Sequence, residues 1–249
     1  FSNPKKRIDK IISFIIKINA DIICIQEAFD KKIVIKLISE LPNYYYCHYP
    51  IKSNITVNSG LIIFSKYHIL SRGFEKFKNS CGEDRLAKKG IIYIKVKIKG
   101  KIYTIINSHL NADAIFSSVS YSQKVRMKQI QQVLHRMTQY RNNVILCGDF
   151  NIHLYDPCAK HILDEITTFK KYCIKSKKMI TFKEENKQLD YIFYLSNNKI
   201  LGKHSYKVFN STFNVKNIKT NKYELLDMNM ISDHYPLLFT LNYNTNSKK

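Results

Sequence analysis

Val144-Ile145-Leu146-Cys147 runs without a break into Gly148-Asp149-Phe150-Asn151. Such an apolar run is too short to build a helix with one buried stripe, and it has the length of a strand buried on both faces. The design recurs. Asp21-Ile22-Ile23-Cys24-Ile25 leads into Gln26-Glu27, Leu189-Asp190-Tyr191-Ile192 opens a further apolar segment, and Ser232-Asp233-His234-Tyr235-Pro236 precedes the last one. Polar groups at the ends of buried strands are held by the packing beneath them, which places carboxylates and an imidazole at a sheet edge.

Period-two alternation is clearest from Gly90 to Asn107. Ile92, Ile94, Val96 and Ile98 alternate with Tyr93, Lys95 and Lys97, Gly100 turns the chain, and Ile102 to Ile106 returns, so a hairpin is expected there. Further strands are expected at 59–64, 144–147, 190–195, around Tyr206 and Phe209, and at 236–241. Helices are expected after Asn3-Pro4, where Ile8, Ile11, Ile12, Ile15 and Ile16 recur at helical spacing, and over 31–41 before Pro42. A third is expected over 121–140 with Val125, Ile130, Val133, Leu134 and Met137 inward, and a fourth after Asp156-Pro157, a cap with a first-turn proline. Helices among mostly non-parallel strands describe an α+β fold, two stacked sheets flanked by helices, in a single domain over 1–249.

The excess of 41 Lys+Arg over 19 Asp+Glu gives a net charge of +22, whose field attracts polyanions and anionic membranes, so nucleic acid is permitted by charge. The excess is spread along the chain among Ile and Asn, a pattern that compositional bias also produces. None of the 6 cysteines forms a C-x-x-C pair, which argues against a zinc site, and Cys24 and Cys147 fall inside apolar strands as small hydrophobes. No apolar run has the length of a membrane span.

The chemistry lies in a few side chains. Glu27, leaving a strand, is an oxygen ligand of the kind that suits Mg²⁺, although a lone strand-end carboxylate is more often plain surface. Asp149 and Asn151, two apart, would face one way at strand period while Phe150 enters the core; alone they read equally well as an Asx turn. His234 can take a proton from water if a carboxylate sets its tautomer, and Asp190 is the candidate to do so. His109, ending the return strand of the hairpin, is placed to hydrogen-bond phosphate oxygens. His48, His68, His135, His153, His161 and His204 read as structural or surface residues.

Glu27, His109, Asp149 to Asn151, Asp190 and Asp233-His234, in that order, resemble the endonuclease/exonuclease/phosphatase superfamily over nearly the whole chain. Cys81 to Gly90 (CGEDRLAKKG), SHLNA at 108–112 and SDHYP at 232–236 resemble its neutral sphingomyelinase branch. The resemblance implies a DNase-like four-layer α/β/β/α fold and Mg²⁺-dependent hydrolysis of sphingomyelin to ceramide and phosphocholine, with Mn²⁺ as an alternative ion and lysophosphatidylcholine as an alternative substrate. It implies Glu27 and Asp233 at the metal, His234 as general base oriented by Asp190, and Asp149 aligning the reacting oxygens or protonating the leaving group. Asn151 and His109 would contact phosphate, and Asp84 with Lys89 would bear on substrate access. Lys89 alone reads as one more solvated lysine. A monomer associated peripherally with a membrane is expected, with a nuclease or a catalytically silent binding module as the competing readings. Two departures stand out: the family's opening strand has no counterpart before Phe1, so the chain is expected to lack it, and Asn111 stands where the family has Gln.

Overall fold

The structure is a computed structural model and describes residues 4–48, 58–113, 118–140, 143–153, 156, 159–175, 179–199, 202–216, 223–228 and 232–242. In chain order the elements are α1 (Pro4–Ile18), β1 (Ile22–Ile25), α2 (Lys31–Glu40), β2 (Tyr45–His48), β3 (Ile62–Ser65), β4 (Ile69–Lys76), β5 (Gly90–Ile98), β6 (Lys101–His109), α3 (Val119–Thr138) and β7 (Asn143–Asp149). There follow α4 (Ala159–Thr168), β8 (Tyr172–Lys175), β9 (Asp190–Ser196), β10 (Lys203–Val208), β11 (Thr212–Lys216), β12 (Tyr223–Asp227) and β13 (Leu237–Asn242), and a 3₁₀ turn spans Gly82–Arg85.

The layered α+β architecture expected from the sequence is present. One sheet has the order β4-β5-β6-β7-β9-β8, and β1-β3-β2 and the β10-β13 ribbon form the opposing layer. Of the described ladders only β6 with β7 is parallel; α3, packed outside the sheet, carries the connection between them, as a parallel pair requires.

Strand alternation sorts the core into layers. Ile92, Ile94 and Val96 of β5, Tyr103 and Ile105 of β6 and Tyr194 of β9 face Leu61, Ile63 and Cys47 between the sheets. The alternate residues Ile91, Ile106, Val144, Leu146, Phe193 and Leu195 face α3 and α4, meeting Ile130, Val133, Met137, Ile162 and Ile166. On the far side Ile62 and Phe64 of β3 meet Ile8, Ile12 and Ile15 of α1 and Val34 and Leu37 of α2. Burial of each of these large side chains contributes about 1.5–3 kcal/mol.

Some expectations shift. Ile16 is exposed on α1, while Phe14 turns inward and meets Phe209 edge-on at 5.2 Å. α2 is capped by Asp30, whose carboxylate accepts from Lys32 N at 2.7 Å, and it ends before Pro42. Pro157 lies outside the described residues, yet Asp156 closes the turn before α4 by accepting from His153 N at 2.8 Å. β2, β4, β8, β11 and β12 have no expectation to match, because their sequences mix polar and apolar residues without clean alternation. Cys147 is buried, Cys24 is partly buried between the sheets, and both are free thiols.

Candidate active site at the sheet edge

β6 and β7 run parallel in a register that sets His109 beside Asp149. β7 and β9 run antiparallel and set Asp149 opposite Asp190. Three chemical side chains therefore share one edge of the large sheet because three apolar strands end there. The close fit needs Gly148: its φ is +146°, and a Cβ would lie 1.8 Å from the Ser108 carbonyl oxygen.

His234 arrives from far along the chain and is held by the segment before β9. Phe182 pairs with both Lys187 and His234 as isolated bridges, Tyr235 N donates to Thr181 O at 2.7 Å, and Lys183 N donates to Asp233 O at 3.1 Å. The Thr181 hydroxyl accepts from Leu189 N and Asp190 N, so the same turn also seats Asp190. The Phe182 ring lies 5.1 Å from the imidazole. Thr181 and Phe182 went unread in the sequence, since neither carries a charge and they act through backbone pairing, one hydroxyl and one ring face.

The result is a connected path of polar contacts. Asp84 accepts from the Lys89 ammonium at 2.9 Å, and Lys89 also reaches His109 Nε2 at 3.0 Å. His109 Nε2 lies 3.5 Å from Asp149 Oδ2, and Asp149 Oδ2 lies 3.8 Å from His234 Nε2. His234 Nδ1 donates to Asp190 Oδ2 at 2.7 Å. Lys89 is 5% exposed and also donates to Leu110 O at 3.1 Å, so it is a buried member of the site floor and no solvated lysine. Asp84 is fixed further by accepting from Ala112 N at 2.8 Å.

Asn151 reaches the same place by a different backbone route from the expected one. β7 ends at Asp149, and Asn151 has φ +50°, a left-handed turn that Asn tolerates. Its backbone N–H donates to Asp149 Oδ1 at 2.8 Å and its side-chain amide donates to Leu110 O at 3.0 Å. Phe150 is fully buried, stacked near Tyr191 and Phe193. Asn111 points elsewhere: it accepts from Cys81 N at 2.9 Å and donates to Ala112 O at 2.7 Å, so it braces the 3₁₀ turn rather than facing the carboxylates.

Electrostatics follow from burial and charge. Burial raises Asp149 most, the neighbouring Asp190 raises it further, and despite the opposing pull of His234, the Asn151 N–H and Lys89 it reaches about 7. Burial alone would lower His234, but the Asp190 hydrogen bond and charge, with Asp149 and Asp233, outweigh it and hold the imidazole at about 9. Burial, then Lys89 and His234, push His109 well below 6.5, so it is neutral. With Nε2 accepting from Lys89, the proton of His109 sits on Nδ1, which has no partner among the described residues.

Asp149, Asp190 and His234 each offer a ligand atom within 4.8 Å of the others, a group capable of holding a divalent cation. Glu27 and Asp233 lie outside that trio, and both are exposed. Glu27 still leaves β1 at the same edge: its neighbour Gln26 donates to Asn107 Oδ1 at 2.6 Å, two residues before His109. Glu27 has φ +59°, a strained conformation for a non-glycine residue of the kind that clusters at functional sites. Tyr206 is half-buried against Phe239, and Phe209 is buried.

Sphingomyelin phosphodiesterase 3 of Homo sapiens is 26% identical over 181 residues, 63% of this chain and 27% of that protein. Phospholipase C of Staphylococcus aureus is 25% identical over 167 residues, 59% of this chain and 51% of that protein. The matches thus span about a quarter to a half of these relatives. A beta toxin variant of S. aureus with bound magnesium ions has the same fold, with a TM-score of 0.77 at 22% identity over 95% of this chain and 92% of that one. Sphingomyelinase C from Streptomyces griseocarneus gives 0.73 at 17% identity over 94% and 92%. Residues 1–234 match the model of the endonuclease/exonuclease/phosphatase family. With its layered sandwich and its carboxylates and histidines gathered at one sheet edge, the chain belongs to that family and within it resembles the sphingomyelinases.

Proposed function

We propose that the chain is a Mg²⁺-dependent phosphodiesterase that hydrolyses the phosphocholine ester of sphingomyelin at a membrane surface. The observation that carries this reading is the Asp190–His234 pair beside Asp149: an imidazole with its tautomer set, next to a buried carboxylate of raised proton affinity. The names of the human and bacterial relatives support the lipid substrate, with lysophosphatidylcholine as a second choline lipid. The carboxylates of that group would hold a divalent cation, with Glu27 adding the oxygen donor that a hard ion such as Mg²⁺ prefers and Mn²⁺ acceptable to the same set, which leaves His234 to the role of base.

Mg²⁺ at these residues would offset phosphate charge and lower the proton affinity of the nearby groups. Asp190 holds Nδ1–H of His234, which leaves Nε2 to take the proton of a water attacking phosphorus. Asp149, fixed by the Asn151 N–H, aligns that water or returns a proton to the departing ceramide oxygen. His109, neutral beside Asp149, and the amide of Asn151 would meet phosphate oxygens; Lys89, anchored on Asp84, sets the position of His109. Asp233 adds negative charge beside the imidazole.

The test is turnover of sphingomyelin vesicles against nicking of plasmid DNA, both with Mg²⁺, by the chain and by His234→Ala. Phosphocholine release that the substitution abolishes is expected. The +22 charge makes a nuclease the second reading; DNA nicking lost in the variant, without lipid turnover, would establish it, and turnover of neither would point to a binding module.

A further inference from the structure

Beside the site, a groove of about 560 Å³ lies between the start of α3 and the segment 78–85. Lys78, Arg85, Lys124 and Lys128 line it and no carboxylate does. All four are exposed, and none has a carboxylate partner within salt-bridge distance among the described residues. Lys124 and Lys128 stand one helical turn apart and repel each other, an arrangement that an anionic ligand relieves.

The walls are built, not incidental. Cys81 packs on Val125, Gln129 donates to Asn79 O at 2.8 Å, and Gln132 accepts from Lys78 N at 3.0 Å. These contacts strap the segment along α3 and hold the cations together. Tyr121, about half exposed, lines the groove among the cations, and Leu86, the neighbour of Arg85, is more than half exposed. Cations beside exposed apolar side chains suit a bilayer interface, where headgroups meet the charges and acyl chains the apolar tips. A nucleic-acid backbone would give Leu86 nothing to bury against.

From this geometry we infer that the groove docks the headgroups of anionic phospholipids and seats the chain on an acidic bilayer. The inference rests on the lipid reading above for its purpose, and its binding step needs no catalysis. The wall also reaches the site. Asp84, inside the 3₁₀ turn that ends at Arg85, anchors Lys89 and through it His109, so a chain seated by this face brings the catalytic edge close to the membrane.

The experiment is co-sedimentation with phosphatidylcholine vesicles with and without phosphatidylserine at low ionic strength, alongside hydrolysis of a soluble phosphocholine chromogenic ester. The chain should bind the acidic vesicles, and Lys124→Gln with Lys128→Gln should weaken that binding about twenty-five-fold, at roughly fivefold per cation. Ester hydrolysis should stay unchanged. The control pair Lys31→Gln with Lys32→Gln removes the same charge from α2 and should weaken binding far less. Equal losses in both pairs, or no loss in the groove pair, would overturn the assignment. So would a groove pair that loses duplex DNA binding but keeps vesicle binding. Vesicle binding without ester hydrolysis would leave the docking site standing and sink the enzymatic reading instead.

Discussion

Asp149 and Asp190 face each other across the β7–β9 ladder, two carboxylates directly opposed in a largely buried position, with His234 hydrogen-bonded to one and 3.8 Å from the other. Like charges so placed destabilise the strand pair unless a proton or a cation lies between them. Several measurable consequences come from that pairing.

The metal-free protein should lose stability as pH rises. Asp149 has an ordinary value of 3.8 and reaches about 7 in the fold, so its contribution is whole below pH 3.8 and is lost as pH rises through about 7. His234 goes from 6.5 to about 9, so its contribution is whole below pH 6.5 and is lost through about 9. Asp149→Asn should therefore gain melting temperature relative to the parent at pH 8 and not at pH 4. A pH-independent difference in calorimetry would refute the opposed-carboxylate account.

Mg²⁺ should reverse that loss. An ion bound only by the folded state at a hundred times its dissociation constant adds about 2.7 kcal/mol, and Asp149→Asn should blunt the effect. Titrating Mg²⁺ into the chelator-treated protein and following its melting temperature measures this without reference to any substrate.

Asp190→Asn should remove the group that fixes the His234 tautomer while keeping the side-chain shape. Turnover should drop by about two to four orders of magnitude with little change in KM, the pattern for an interaction made in the transition state. The imidazole should titrate nearer 6.5 in a proton NMR experiment; retention near 9 would assign the shift to other groups.

Lys89→Met should cost about 3–5 kcal/mol, because the Asp84 carboxylate loses its buried cation. The same change should raise the proton affinity of His109, since Lys89 helps hold it down. Denaturant unfolding reads the first effect and imidazole titration the second.

Gly148→Ala should prevent folding or cost more than about 4 kcal/mol, since the added carbon would strike the Ser108 carbonyl. Gly100→Ala, at φ +80° with nothing within 4 Å, should cost only about 1 kcal/mol of backbone strain. Comparable losses in the two variants would contradict the contact.

Local pattern carried much of the architecture. The alternation of Ile92, Ile94 and Val96 set one face of β5 against the opposing sheet, and the spacing of Ile130, Val133 and Met137 set the inner face of α3, because period and apolarity are properties of a short segment. Asp149, Asp190 and His234, which the fold gathers, were legible as candidates because polar groups recur at the ends of several apolar runs, although each alone reads as readily as surface or turn. Their geometry was not. The sequence could not show that Lys89 is buried beneath His109, that Asn151 turns left-handed, that Asn111 faces Cys81, or that Thr181 and Phe182 carry His234 to Asp190. Each depends on ladder register and on contacts between segments 20 to 52 residues apart, and register is decided by how whole sheets pack rather than by any one strand.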